Sequence, residues 1–387
     1  MLMRLTSCVR NGKKESSQTI KRGRGNIYRK IMKVGIIGLG KIAQTQYLPA
    51  LLKNKEVEIV ALCDRSGSLV DAVVAKHVFP KEIICHNETE LIEKKPEFVF
   101  LLTHNHYHIA KELIESEISI CVEKPICWES VQAECLLEAA KVRHVKIYAA
   151  YMKQYDNTFK VLQKEIEKRG VPVMVNVSCY AGNNKRWCDP LFTIFKESDI
   201  EKKLTKQELN EGWVSFFASN SIFDSEQRIE TQLMLQLGIH QINIIRKLFG
   251  QIKIQDVVIS HVNGVCTVNS VLQSANNTTI NYALAPMFSG AWLWKEKYEI
   301  VYPNALIVYH PGCPFLPISD SYLEICEGKE YLNSIIVKSD LSNPFETMID
   351  SILNDYCSDQ ANTSVSEAIG DIEFIELLLK TGRNAKL

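Results

Sequence analysis

Three small residues, Gly38, Gly40 and Ala43, follow a short apolar run that begins at Lys33. The run predicts a strand, and the apolar periodicity from Lys41 to Lys53 predicts a helix directly after it. Gly38 can form the tight turn, Gly40 lets a ligand approach the backbone, and Ala43 allows the helix to pack closely on the strand. Because a helix N-terminus attracts anions, this spacing is typical of a dinucleotide pyrophosphate site.

An acidic residue closes the second predicted strand of the chain. Asp64 ends the apolar run from Val57 to Cys63 and stands 24 residues after Gly40, about where an acceptor for a ribose hydroxyl belongs. Its carboxylate would repel a 2′-phosphate, which favours NAD(H). The neighbouring Arg65 could stack on adenine or pair with a phosphate, so NADP(H) stays an alternative.

Polar residues also follow the fourth and fifth predicted strands. Thr103 to His108 contains three alternating histidines, but no cysteine or acid joins them, so we predict a polar turn that lines the cofactor cleft and no metal site. Lys124 stands between Glu123 and Pro125 at the same edge of the sheet. A lysine in a partly desolvated cleft can share in proton transfer or bind a substrate oxygen. The alternative from position alone is a surface lysine paired with Glu123.

A helix predicted from Gln232 to Phe249 carries a second candidate. Gln236, His240 and Asn243 are spaced so that they share one face of an α-helix. His240 is a candidate general acid or base, although a single histidine on a helix is also often structural.

The predicted elements that must position these residues follow two different secondary-structure patterns. Up to Ala150, short apolar runs alternate with helical segments, which predicts a parallel, doubly wound sheet of the Rossmann type. After Tyr151, strands joined by short polar turns predict an α+β domain with a large, mostly antiparallel, open sheet. We therefore expect a basic extension over residues 1–31, a dinucleotide-binding domain over 32–151 and a second domain over 152–387. Residues 188–230 are interpreted as an irregular insertion, a lid or surface excursion.

The net charge of zero is the sum of two unlike parts. Residues 1–31 hold nine basic residues and one acid, while the rest of the chain carries a net charge of −8. The basic stretch lacks the apolar core of a secretory signal, and a transit peptide or a nucleic-acid-binding arm has no further support in the sequence. We interpret it as a disordered tail, or as a leader ahead of a start at Met32.

No apolar run approaches the length of a membrane span, and the twelve cysteines are scattered without a CxxC pair. A cytoplasmic protein with reduced thiols is therefore expected, without nucleic-acid or membrane partners.

The sequence resembles the Gfo/Idh/MocA family, named after glucose–fructose oxidoreductase, inositol dehydrogenase and a rhizopine-catabolism protein. The matching segments are Val34 to Ala43, Leu48-Pro49-Ala50, Thr103 to His108, Glu123-Lys124-Pro125 and Leu237 to His240. They occur in the family's order, and the resemblance covers nearly all of residues 33–380.

The resemblance implies hydride transfer between a nicotinamide and a sugar, cyclitol or keto- or amino-sugar, with Lys124 polarising the substrate oxygen and His240 as acid/base. It also implies a homo-oligomer, a dimer or tetramer. The residues expected to bind the cofactor are Gly38, Gly40, Lys41, Ile42, Ala43, Asp64, Arg65, Thr103, Asn105, His108, Glu123 and Lys124. Those expected to bind the substrate are Lys124, Tyr180, Gln236, His240 and Asn243.

The helix of His240 departs from the family pattern. Relatives typically carry a glycine pair followed by Asp-x-Gly-x-His-x-x-Asp, whereas both carboxylates are amides here, at Gln236 and Asn243. An amide can orient an imidazole but supplies no charge to stabilise its protonated form. A tyrosine, Tyr155 or Tyr180, could then share the proton with Lys124. A catalytically impaired dinucleotide-binding sensor or scaffold is the alternative function.

Overall fold

The computed structural model describes residues 31–182, 191–219, 227–286, 294–316, 318–328, 333–358 and 364–384. The predicted basic extension lies outside these ranges except for residue 31. Two sheets and the helices around them account for most of the described chain.

The first sheet is parallel and has six strands in the order β3-β2-β1-β4-β5-β6. Its strands are β1 (Met32–Ile37), β2 (Val57–Cys63), β3 (Ile84–Cys85), β4 (Phe98–Leu101), β5 (Ser119–Glu123) and β6 (Ile147–Ala150). β1 pairs with β2 on one side and with β4 on the other, so the chain reverses its direction of winding between β1 and β4. Ligands of doubly wound folds bind at the carboxyl ends of the strands beside this point. The predicted Rossmann fold is confirmed.

Helices cover both faces of this sheet. They are α1 (Leu48–Lys53), α2 (Gly67–His77), α3 (Glu88–Glu93), α4 (Tyr107–Glu115) and α5 (Ser130–Arg143). One face also receives a helix from the far end of the chain, α10 (Pro344–Tyr356), whose Phe345 and Met348 are buried with Tyr47 and Phe100. The last part of the chain therefore returns to the first domain, which the division at residue 152 did not anticipate.

The second sheet has eight strands in the order β14-β13-β12-β11-β7-β10-β9-β8, and only β7 and β10 run parallel. Its strands are β7 (Met174–Ala181), β8 (Ile252–Val262), β9 (Val265–Ser274), β10 (Thr279–Pro286), β11 (Trp294–Tyr302), β12 (Ala305–His310), β13 (Tyr322–Glu327) and β14 (Asn333–Lys338). The predicted mostly antiparallel sheet is confirmed, but β13 and β14 were not predicted. β14 is an edge strand whose side chains are almost all exposed, so it lacks the alternation that identifies half-buried strands.

The remaining helices lie beside the second sheet or join the two domains. They are α6 (Asn157–Arg169), α7 (Asp199–Ser219), α8 (Arg228–Leu233), α9 (Ile239–Phe249), α10 and α11 (Ser364–Asn384). None of the helices in the described ranges is long and apolar enough to cross a membrane. No disulfide joins the cysteines in this part of the chain.

The insertion contains a long helix, although irregular structure was expected there. α7 extends over 21 residues, and Trp213 stacks on Trp128 of the first domain with ring centroids 3.9 Å apart and planes 7° apart. Phe216 meets both indoles edge-on. The expectation failed because charges are spread along α7, and its buried aromatic residues are clustered in its C-terminal half.

We expect Trp213→Ala to lower the free energy of unfolding by roughly 3–5 kcal/mol, as for other large aromatic residues removed from a core. Val214 is the matched control, because its side chain is 55% exposed on the same helix. Val214→Ala should change stability by less than about 0.5 kcal/mol. Urea unfolding followed by circular dichroism would compare the variants, and equal stabilities would show that the aromatic cluster does not hold α7.

Candidate functional site

A cavity of about 580 Å³ opens at the carboxyl ends of β4 and β5, where the first sheet faces the second domain. The first domain contributes Ile42, Leu102, Thr103, His104, Glu123, Lys124 and Ala150 to its wall. The second domain contributes, among others, Ala181, Gln232, Gln236, His240, Trp294 and Phe315. The cavity therefore brings together side chains that are separated by more than a hundred positions in the sequence.

The glycine loop has the conformation that the sequence predicted. Gly38 has a φ of +92°, and a Cβ there would lie 2.8 Å from the carbonyl carbon of Leu102. A Cβ on Gly40 would meet nothing within 4 Å, so the backbone is open on that side. Ala43 is fully buried against the sheet. An open glycine at the start of a helix is what a pyrophosphate needs, so the loop fits a dinucleotide.

Asp64 braces this loop. Its Oδ2 accepts a 2.7 Å hydrogen bond from the backbone N–H of Leu39, and its Oδ1 accepts one of 2.9 Å from the N–H of Ser66. The carboxylate is half-buried, and Arg65 beside it is exposed. The acidic residue thus lies beside the glycine loop, as its sequence position predicted.

Of the three alternating histidines, the structure brings His104 to the cavity wall. His106, which sequence reasoning did not select, is buried with Nδ1 2.9 Å from the carbonyl oxygen of Pro125 and Nε2 2.5 Å from that of Thr103. Burial lowers the pKa of His106 to about 4. The neutral ring carries one N–H and donates to one of these two carbonyl oxygens at a time, so it packs between the two loops of the site. His108 was expected at the cofactor, but it is exposed on α4 beside Tyr107.

α4 begins at Tyr107, so residue 108 lies in its first turn, and it is not among the residues that line the cavity. The exposed Asn105 lies at this edge without reaching the cavity wall. The described residues contain no group of three His, Cys, Asp or Glu side chains that could hold a metal ion.

Glu123 holds the lysine loop, Glu123 to Pro125, in place from the protein interior. Its Oε1 accepts a 2.7 Å hydrogen bond from the Tyr47 hydroxyl, and its Oε2 accepts one of 3.0 Å from the N–H of Lys124. Burial raises the pKa of this carboxyl. The following Lys124–Pro125 peptide is cis. Glu123 lines the cavity, but both of its oxygens already serve the protein.

Lys124 reaches across to the second domain. Its Nζ donates a 2.8 Å hydrogen bond to the backbone carbonyl oxygen of Gln236. Burial lowers the pKa of Lys124, Glu123 opposes that shift and the positive charge of Lys153 reinforces it. The ammonium group can therefore give up a proton more readily than a surface lysine can.

The three residues expected on one helix face are not on one face. A π-helical turn, Met234–Gly238, separates α8 from α9 and changes the angular spacing between residues 236 and 243. Gln236 is exposed at the cavity and His240 is buried in its wall. Asn243 is buried elsewhere, where it accepts a bond from Gln154 and donates one to Asp371, both of 2.7 Å. The structure therefore does not place Asn243 where it could bind a substrate.

Among the described residues, no carboxylate bonds the ring of His240. Its Nδ1 is buried and has no hydrogen-bond partner among the described residues, so Nε2 is the nitrogen left to face a ligand. Burial, followed by the positive charges of Lys124 and Lys153, holds the pKa of His240 well below its usual value. The ring is neutral at neutral pH and can accept a proton.

A buried ion pair near the cavity was not predicted. Lys153 bonds Glu296, which also accepts a 2.9 Å bond from the Tyr298 hydroxyl. The Lys153 Nζ lies 5.7 Å from the ring centroid of Trp294, which lines the cavity. Lys153 follows β6 in the same way that Lys124 follows β5. This shared position at the edge of the sheet was the signal in the sequence that could have identified Lys153.

The two tyrosines considered as proton carriers do not reach the cavity wall. Along β7 the side chains alternate, so that Ala181 lines the cavity and Tyr180 points to the open face of the second sheet. Tyr155 is half-buried on the face of the first sheet that α10 covers. Neither side chain is placed to exchange a proton with a ligand in the cavity.

Comparison with known proteins agrees with this arrangement. Residues 32–151 match the profile of an oxidoreductase family with an NAD-binding Rossmann fold, GFO_IDH_MocA. The chain is 22% identical to the inositol 2-dehydrogenase of Salmonella typhimurium over 227 residues, which are 56% of this chain and 67% of that protein. It is 22% identical to the putative oxidoreductase YceM of the same species over 135 residues, 35% of this chain and 43% of that one.

The fold is also similar to solved structures. KijD10, a 3-ketoreductase from Actinomadura kijaniata in complex with NADP and TDP-benzene, superposes with a TM-score of 0.68 at 13% identity. The superposition covers 90% of this chain and 97% of that one, so both domains share the fold.

We expect Gly40→Ala to weaken dinucleotide binding at least tenfold without lowering the melting temperature, because its Cβ would occupy open space above the loop. Gly38→Ala should lower stability by at least about 1–2 kcal/mol, the cost of a left-handed conformation. Gly67→Ala is the control, since its Cβ would touch only the His86 ring at 4.0 Å. Calorimetric titration with NADH and thermal unfolding measure the two effects. Unchanged affinity in Gly40→Ala would place the pyrophosphate elsewhere.

Proposed function

We propose that the chain is a member of the Gfo/Idh/MocA family, whose profile its residues 32–151 match, and an NAD(P)-dependent oxidoreductase that interconverts a hydroxyl and a carbonyl group on a sugar-like substrate. The observation that carries the proposal is the shared cavity of Lys124 and His240, which opens beside the glycine loop. One domain supplies the lysine and the other supplies the histidine, so a substrate bound between the domains would be oriented by both.

The first domain holds the cofactor in this proposal. The backbone of Gly38 to Ala43 would receive the pyrophosphate, with Lys41 and Ile42 flanking it, and Asp64 and Arg65 would lie at the adenosine ribose. Thr103, Asn105 and Glu123 belong to the edge where the nicotinamide half would end. When bound, the nicotinamide supplies the hydride acceptor or donor.

The substrate hydroxyl would lie between Lys124 and His240. Neutral His240 accepts the hydroxyl proton at Nε2 as the alcohol is oxidised, and the Lys124 ammonium donates a hydrogen bond to the same oxygen. In the reducing direction the same groups return the proton to the carbonyl oxygen. Positioned acid–base help of this kind is worth about 10²–10⁴-fold in rate. Gln236, exposed at the cavity, would bind a further hydroxyl of the substrate.

We expect NAD(H) as the cofactor, because an Asp64 carboxylate beside the adenosine ribose, as proposed here, would repel a 2′-phosphate. The expected substrate is a polyhydroxylated small molecule, a cyclitol or keto-sugar, on the analogy of the inositol dehydrogenase and the ketoreductase.

We also expect the chain to form a homo-oligomer through the open face of the second sheet. Tyr180, Val258 and Val271 expose 37%, 51% and 37% of their surface on this face. Pairing of two copies there would remove these side chains from water.

A second function is favoured by one specific observation. Both carboxylates typical of the helix are amides, and the His240 Nδ1 has no partner among the described residues. A protein that binds the dinucleotide without turning over a substrate, as a sensor or scaffold, would need no charge at these positions.

Lys124→Ala should abolish turnover while the affinity for NADH changes less than threefold, since the lysine acts on the substrate. His240→Asn should lower kcat by about 10²–10⁴-fold. Lys111→Ala is the control, because this lysine lies on the surface of α4. Nicotinamide absorbance across a panel of cyclitols and keto-sugars measures turnover, and titration measures binding. Full activity of Lys124→Ala would contradict the catalytic assignment. NADH binding without turnover of any panel member by the unmodified protein would favour the sensor.

A further inference from the structure

The insertion runs along the edge of the first sheet where the cofactor is proposed to bind. Close to its start, the N–H and carbonyl oxygen of Phe195 bond the amide of Gln44, which follows the glycine loop. The beginning of α7 touches Ser68 after β2, and its end stacks on Trp128 after β5. A helix of 21 residues is about 30 Å long. α7 therefore extends from the side of the adenosine ribose to the side of the lysine loop.

Glu201 makes the contact at the ribose end. Its Oε2 accepts a 2.6 Å hydrogen bond from the Ser68 hydroxyl, and its Oε1 accepts one of 3.5 Å from the Ser68 backbone N–H. Ser198 donates to the same carboxylate from its N–H at 2.9 Å and from its hydroxyl at 2.5 Å. Four donors thus hold one carboxylate in a fixed place.

The carboxylate lies at the N-terminus of α2. Ser66 caps this helix, where its hydroxyl accepts a 3.2 Å bond from Leu69, and Ser68 follows in the first turn. Donors at the first turn of a helix attract anions. The hydrogen bonds from Ser198 and Ser68 lower the pKa of Glu201 to about 2, so the chain supplies its own anion there.

Glu201 is also linked to Asp64. The Ser66 N–H donates to Asp64 Oδ1 at 2.9 Å, and the Ser66 hydroxyl lies 3.3 Å from that of Ser68. With Asp64 facing the ribose hydroxyls, a phosphate on the 2′ oxygen would need hydrogen-bond donors from the residues that follow Asp64 in the chain. Arg65 is the first of these, and the donors at the first turn of α2 belong to Ser68, which already bonds Glu201.

We propose that Glu201 is a specificity-determining residue that makes the chain select NAD(H) over NADP(H). This inference rests on the proposed function and deepens it. Glu201 takes the donors that a 2′-phosphate would use, and its negative charge repels the phosphate from the same place. The selection is therefore made by two carboxylates, Asp64 from the first domain and Glu201 from the insertion.

The test compares affinities for NADH and NADPH by calorimetric titration, in the absence of substrate. Glu201→Gln keeps the size of the side chain and removes its charge. We expect the ratio of the Kd for NADPH to that for NADH to fall at least tenfold, with the Kd for NADH changing less than threefold. Glu211→Gln, on the same helix and bonded to Gln207, is the matched control and should leave the ratio unchanged.

An unchanged ratio in Glu201→Gln, with NADH still bound, would overturn the inference and leave the proposed function standing. An equal loss of affinity for both dinucleotides would also overturn it, because Glu201 would then only hold α7 in place. Tighter binding of NADPH than of NADH by the unmodified protein would do the same. If the unmodified protein bound neither dinucleotide, the proposed function itself would fail.

Discussion

A hydrogen bond between Tyr47 and Glu123 connects the two loops on which the proposed chemistry depends. Tyr47 ends the π-helical turn that follows the glycine loop, and Glu123 directly precedes the lysine. Both side chains are buried, and the second oxygen of Glu123 accepts the N–H of Lys124. Because an unsatisfied buried carboxylate is costly, the loops hold each other in register. The ring of His106 lies between the carbonyl oxygens of Thr103 and Pro125 at the same edge of the sheet.

The electrostatics of the cavity explain how a site could work without the usual carboxylates. Lys153 is balanced by Glu296, but its charge still acts with that of Lys124 on His240. Burial and these two cations keep the imidazole neutral. A neutral ring can accept a proton from a substrate, while the low pKa disfavours a long-lived imidazolium. A carboxylate near the ring would raise its pKa, and the chain has amides at both expected positions. Asn243 instead satisfies a buried network with Gln154 and Asp371, so its role in the structure is packing and not recognition.

The insertion is where this chain differs most from a plain two-domain arrangement. It contacts the first domain at Gln44, Ser68 and Trp128, although the segment belongs in sequence to the second. Residues 32–387 carry a net charge of −8, so this part of the chain does not attract an anionic dinucleotide at long range. In the proposed function local donors would therefore capture the cofactor, and α7 brings Glu201, which belongs to no recognised motif, next to Ser68.

The sequence by itself determined the architecture and half of the site. Glycine spacing, the acid at residue 64 and the lysine after β5 are local signals, because each depends on a turn or on the end of one strand. The alternation of short strands and helices likewise predicted the first sheet, and strands joined by short polar turns predicted the second sheet except for β13 and β14. Only the tertiary structure decided which side chains meet. His240 reached the cavity while Asn243 entered a buried network with Gln154 and Asp371, and α7 packed across to the first domain. Local propensity does not encode these outcomes, since each depends on contacts between residues far apart in the chain.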